Sequence, residues 1–115
     1  MTKTAVAAHF TGRDPIVRDI YDRLVGAAGR FGPVMEDPKK TSIHLVRKTA
    51  FAGVVTRRAA LVLTLKSATD IRSPRVTKRQ HTSAGRWHLE VRLTDPRQVD
   101  KQIATWLERA IRISQ

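Results

Sequence analysis

The chain is 115 residues long, with 22 lysines and arginines against 10 acids, no cysteine and a formal net charge of +12. That length allows one domain with one core, large enough to fold without covalent staples. The missing cysteines exclude disulfides, thiolate metal sites and cysteine nucleophiles, and no apolar run is long enough for a membrane span.

Residues 1–12 read as a flexible N-terminal arm, from which Phe10 could tuck onto the core, and residues 13–115 as a single α+β domain. The opening MTKTAVAAHF is too short and too weakly apolar for a secretory leader, so a cytoplasmic location is expected. Asp14-Pro15 opens a helix. The Asp side chain can accept orphan backbone N–H bonds, and proline at the first helical position loses none. Ile16, Ile20, Leu24 and Ala27 recur at helical spacing, flanked by Val17, Tyr21 and Ala28, until Gly29, Gly32 and Pro33 end the run.

From Pro33 the period changes to two. Val34-Met35, Thr41–Arg47, Phe51–Val55 and Leu61–Leu65 are short strand candidates with connections too short for a crossover helix, which favours antiparallel pairing. Arg75–His81 and Arg86–Leu93 then read as a hairpin around Thr82-Ser83-Ala84-Gly85. A four-residue loop would pair His81 with Arg86, Arg79 with His88 and Arg75 with Arg92. In the second arm Trp87, Leu89, Val91 and Leu93 alternate with Arg86, His88, Glu90 and Arg92. Asp95-Pro96, with Gln98 completing a capping box, opens a last helix whose stripe is Val99, Ile103, Trp106, Ala110 and Ile113. The expected architecture is an antiparallel sheet of five or six strands with the N- and C-terminal helices packed on one face, in the order α-β-β-β-β-β-β-α.

Charge is distributed unevenly along this plan. Lys39–Arg92 holds 13 of the 22 basic residues and only two acids, Asp70 and Glu90, so nearly all the excess charge falls on the β region. An anionic partner is implied, nucleic acid or another polyanion before an acidic protein. Alternation gathers Arg75, Arg79, His81, Arg86, His88 and Arg92 on one expected outward face, and Lys39, Lys40, Arg57 and Arg58 in turns could extend it. Arginine suits phosphate because its planar fork donates two parallel hydrogen bonds. The alternative for the same groups is a solvated face.

Signals for catalysis are poor. His9, His44, His81 and His88 lack ligand spacing with carboxylates, so neither a metal nor another cofactor is expected. Asp70 and Glu90-Val91-Arg92 only echo a nuclease acid order, with arginine, too basic to carry a proton, in place of the lysine. No nucleophile elbow or phosphate-cradling glycine loop is present. Trp87 and Trp106 fall on apolar stripes, which places them in the core rather than under stacked bases. Non-catalytic polyanion binding is therefore the first expectation, docking onto an acidic protein the second, and a small-molecule enzyme using a histidine the third.

The segments Lys39–Val54, Gly85–Leu93 and Trp106–Ala110 together resemble a bacterial and archaeal domain-of-unknown-function family, the one numbered five-six-five-five. The resemblance runs from about His9 onward. It implies a compact α+β domain, appended in some relatives to restriction-type nucleases, and it brings no catalytic residues to carry over.

Overall fold

The computed structural model describes residues 2–114. Helix α1 (Thr2–Ala8) precedes α2 (Pro15–Gly29); six strands follow, β1 (Met35–Pro38), β2 (Ile43–Val46), β3 (Ala50–Thr56), β4 (Leu61–Ser67), β5 (Val76–Ser83) and β6 (Arg86–Leu93); a 3-10 turn (Pro96–Gln98) and α3 (Lys101–Arg112) close the chain. The strands form one antiparallel sheet in the order β1-β2-β3-β4-β6-β5. Helices α2 and α3 lie over one face of that sheet, and the core fills the space between. Among the described residues no helix is long and apolar enough to cross a membrane.

The stretch expected to be a free arm is instead a helix. Val6 is buried, and Phe10 packs against Tyr21 with ring centroids 5.1 Å apart. The buried Val6 ties α1 down, too brief an apolar signal to stand out from the small residues around it. Asp14 caps α2 as expected, its Oδ1 accepting from the Ile16 N–H at 3.0 Å. The stripe that α2 buries is Val17, Ile20, Tyr21, Leu24 and Ala28, with Ile16 and Ala27 on its margin.

Strand order follows from what each strand must hide. Leu63, Leu65, Leu89, Val91 and Leu93 are buried, so β4 and β6 sit inside the sheet as neighbours. Strand β5 buries only Val76 and exposes Thr77–Ser83, so it takes an edge, where its charges discourage pairing with another sheet. The loop joining β4 to β5 packs Ile71 against the core.

The end of the chain departs from expectation at one joint. Asp95 and Gln98 do form a capping box, but it closes a 3-10 turn rather than a helix. Val99 leaves helical geometry, with φ −82° and ψ 77°, and is buried. Asp100 then caps α3 afresh, accepting from the Ile103 N–H at 3.1 Å. Two Asp caps five residues apart compete for the helix start, and the burial of Val99 accompanies the choice of the second. From there α3 buries Ile103, Trp106, Leu107, Ala110 and Ile111.

Candidate functional site

In an antiparallel sheet, residues opposite one another across a strand pair share a face, so register decides which side chains meet. On the face opposite α2 and α3, one row runs Asp37, His44, Gly53, Thr64, Glu90, Lys78 from β1 to β5. A second row aligns Val55, Val62 and Arg92, and a third aligns Lys66, His88 and Gln80. Helices α2 and α3 lie on the other side of the sheet from these residues, most of which are partly or fully exposed.

The expected hairpin patch is divided by this register. The β5–β6 turn has two residues, Ala84 and Gly85, between the paired Ser83 and Arg86, and Gly85 supplies the φ of +68° the turn needs. A bulge between His81 and Ser83 then slips the pairing by one, so opposite pairs are His81 with Trp87, Gln80 with His88, Arg79 with Leu89 and Lys78 with Glu90, with a second bulge between Val76 and Lys78. A shift of one residue from the expected pairing moves alternate side chains to the other face. Arg79 and His81 consequently join Leu89 and Trp87 on the helix side, and Lys78 and Gln80 take their places outside.

The displaced cations have structural work. Arg75 donates from Nη1 to both carboxylate oxygens of Asp100 at 3.0 and 3.1 Å and to Gln102 at 3.1 Å, and from Nη2 to the Gln98 carbonyl at 2.6 Å. It also lies 6.0 Å from the Trp106 ring centroid. Partial burial alone would raise the Asp100 pKa, but the Ile103 N–H and the Arg75 guanidinium overcome it and hold the carboxyl below its ordinary value. Arg79 pairs with Asp70 at 2.8 Å and donates to the Ile71 carbonyl. His81 stacks on Trp87 with centroids 4.2 Å apart and planes 7° from parallel. These three belong to the fold and not to an outward patch.

Arg86, His88 and Arg92 do lie on the uncovered face, and Lys66, opposite His88, joins them. Among the described residues, Lys66, Arg86 and Arg92 make no ion pair and no side-chain hydrogen bond. Glu90 stands between His88 and Arg92 along β6, with Lys78 Nζ at 4.0 Å from it. In the β1–β2 turn Lys39 pairs with Asp37 at 2.9 Å, while Lys40 is exposed. Arg57 and Arg58 are exposed in the β3–β4 turn. Lys66 was legible from the Leu61, Leu63, Leu65 alternation, which places it outward.

Two concavities adjoin this face. Gly53 floors a depression of about 310 Å³ whose wall includes His44, Thr64, Lys66 and His88. A side chain at Gly53 would meet only ordinary contacts, with His44 Cδ2 and Thr64 Cβ each 4.0 Å away. Neither His44 nor His88 has a hydrogen-bonded orienting group among the described residues. The other concavity, about 370 Å³, opens where the α1–α2 connection meets the ends of β2 and β3, and its lining includes Arg13, Lys40 and Arg57. Arg13, which no motif in the sequence singled out, is brought there by the α1–α2 connection. Among the described residues, no group of three or more His, Asp or Glu is placed to hold a metal ion.

Among curated proteins and among solved structures, none matches the chain significantly. A family model does match, over residues 6–114, which takes in both helical ends and the entire sheet. By that match the chain belongs to the family described as Domain of unknown function (DUF5655).

Proposed function

We propose that the protein binds nucleic acid, without catalysis, along the uncovered face of its sheet, in a cytoplasmic setting. The observation that carries the reading is a set of cations left unpaired on the uncovered face, although Asp37 and Glu90 hold Lys39 and Lys78 there. The acids Asp70, Asp95 and Asp100 neutralise Arg79, Arg97 and Arg75 beside the helices, while the uncovered face keeps Lys66, Arg86 and Arg92 unpaired among the described residues. Same-face residues along a strand are about 7 Å apart and neighbouring strands about 5 Å, so Lys66 and Arg86 lie about one phosphate spacing apart. Arg92 lies roughly 20 Å along β6 from Arg86, within reach of a phosphate further along the same nucleic-acid strand. Arg86 and Arg92 offer forks for bidentate contact, and Lys66 offers a point charge. Such contacts are to the backbone, so attraction outweighs sequence reading.

A mixed surface favours the second reading, an acidic protein partner: Met35 is 62% exposed, and Val46, Val55 and Val62 are partly exposed on the same face. Fluorescence anisotropy with labelled single-stranded and duplex oligonucleotides at low salt tests the first. Binding should weaken steeply with salt and fall in a Lys66→Gln, Arg86→Gln, Arg92→Gln variant. Absence of binding at low salt would remove the nucleic-acid reading and leave the protein partner, to be sought by nuclease-resistant co-purification.

A further inference from the structure

The concavity at the end of the sheet differs in kind from the flat face beside it. Its lining includes Arg13, Lys40, Arg57, His9, Thr11 and Thr41, and no carboxylate. The nearest acids in sequence are engaged: Asp14 caps α2 and Asp37 holds Lys39. Arg13 is fixed before any ligand arrives. Its Nε donates to Thr56 Oγ1 at 3.1 Å, and that hydroxyl, on a buried residue, donates in turn to the His9 carbonyl at 2.6 Å. The connection is held on both sides, His9 Nε2 donating to the Lys39 carbonyl at 2.9 Å and the Asp14 N–H to the Arg58 carbonyl at 2.7 Å. The terminal Nη groups of Arg13 keep no protein partner among the described residues. An arginine anchored at Nε, with a free pair of Nη donors among two further cations and two threonine hydroxyls, is arranged for a compact oxyanion.

We infer that this concavity is a binding site for a phosphate monoester group, gripped by Arg13 with Lys40 and Arg57. Val55 lines it, and Val55 is in register with Val62 and Arg92, so the site lies about two strand spacings, roughly 10 Å, from the unpaired Arg92. A strand on the uncovered face could therefore place its terminal phosphate there, a source that rests on the reading above; a free phosphate or mononucleotide is the other source.

Two measurements test the site. Inorganic phosphate titrated into isotope-labelled protein, against chloride at matched ionic strength, should shift the amides of Thr11, Arg13, Thr41 and Arg57. Arg13→Gln and, separately, Arg57→Gln on its exposed turn should each weaken that binding about 10-fold. Shifts equal to those with chloride, or scattered over all basic surfaces, would overturn the site. Oligonucleotides of one sequence with a 5′-phosphate or a 5′-hydroxyl then separate the sources. A phosphate-dependent gain of about 10-fold, lost in Arg13→Gln, assigns the strand end. Equal affinities with intact phosphate binding support the site with a free phosphate as ligand. Saturable phosphate binding without any oligonucleotide binding supports the site and refutes the face as a nucleic-acid surface.

Discussion

Replacing Arg75 and Arg92 by alanine, one at a time, should give opposite results although both arginines lie in the basic middle of the chain. Arg75→Ala removes the donor to the Gln98 carbonyl at 2.6 Å, the pair with Asp100 at 3.0 Å and a stem lying near Trp106. The Arg75 side chain is 23% exposed and that of Asp100 49%, so the pair itself contributes no more than about 1 kcal/mol. The lost charge-assisted bond to a carbonyl and the lost packing bring the total to about 2–3 kcal/mol. With a urea m-value near 1.3 kcal/mol/M, the unfolding midpoint should fall by about 2 M. Arg92 is exposed without an ion pair, so Arg92→Ala should stay within about 0.5 kcal/mol of the parent. Urea unfolding followed by tryptophan fluorescence reads both. Equal midpoints for the two variants would refute the division of the basic residues by face.

Further expectations follow from single contacts. Tyr21 is the only tyrosine, and its burial, then the hydrogen bond it donates to Glu36 at 2.6 Å, push its phenol above the usual range. A folded-state pKa above the unfolded one contributes stability that is lost as pH rises, so stability should drop above about pH 10, and Tyr21→Phe should flatten that drop. Native protein showing tyrosinate absorbance there before unfolding would contradict it. Asp100 titrates low, so the opposite sign holds: its contribution is present above about pH 4 and lost on acidification through the folded value. Asp100→Asn keeps a good helix cap and should lose less stability on acidification than the parent, as acid-titrated circular dichroism will report. Gly53→Ala fills open space without strain and should raise stability by about 0.5–1 kcal/mol; a loss in thermal or urea unfolding would contradict the depression.

The alternation in β4 and β6 was strong enough in the sequence to locate the uncovered face, because burying Leu61, Leu63, Leu65, Leu89, Val91 and Leu93 leaves the intervening residues no other side. Strand β5 carries no such constraint. Its run from Thr77 to Ser83 is polar throughout, and nothing in the pattern separates one register from its neighbour. The bulge between His81 and Ser83 decided it, so Arg79 and His81 changed faces. Arg75 escaped the pattern for another reason: its partners Gln98 and Asp100 lie more than twenty residues away, around a helix start that the sequence placed at Asp95. The site at the sheet end was illegible because Arg13 enters it through Thr56, a contact between residues 43 apart.

The central claim is that the uncovered face binds nucleic acid through its unpaired cations, and the salt slope of single-strand binding tests it most directly. Contacts from Lys66, Arg86, Arg92, Lys40, Arg57 and Arg58 imply a slope of log affinity against log salt of about −4, at roughly −0.7 per phosphate neutralised. The Lys66→Gln, Arg86→Gln, Arg92→Gln variant, unchanged in urea stability, should show a slope of about −2. An unchanged slope in that variant, with affinity equal to the parent, would contradict the claim.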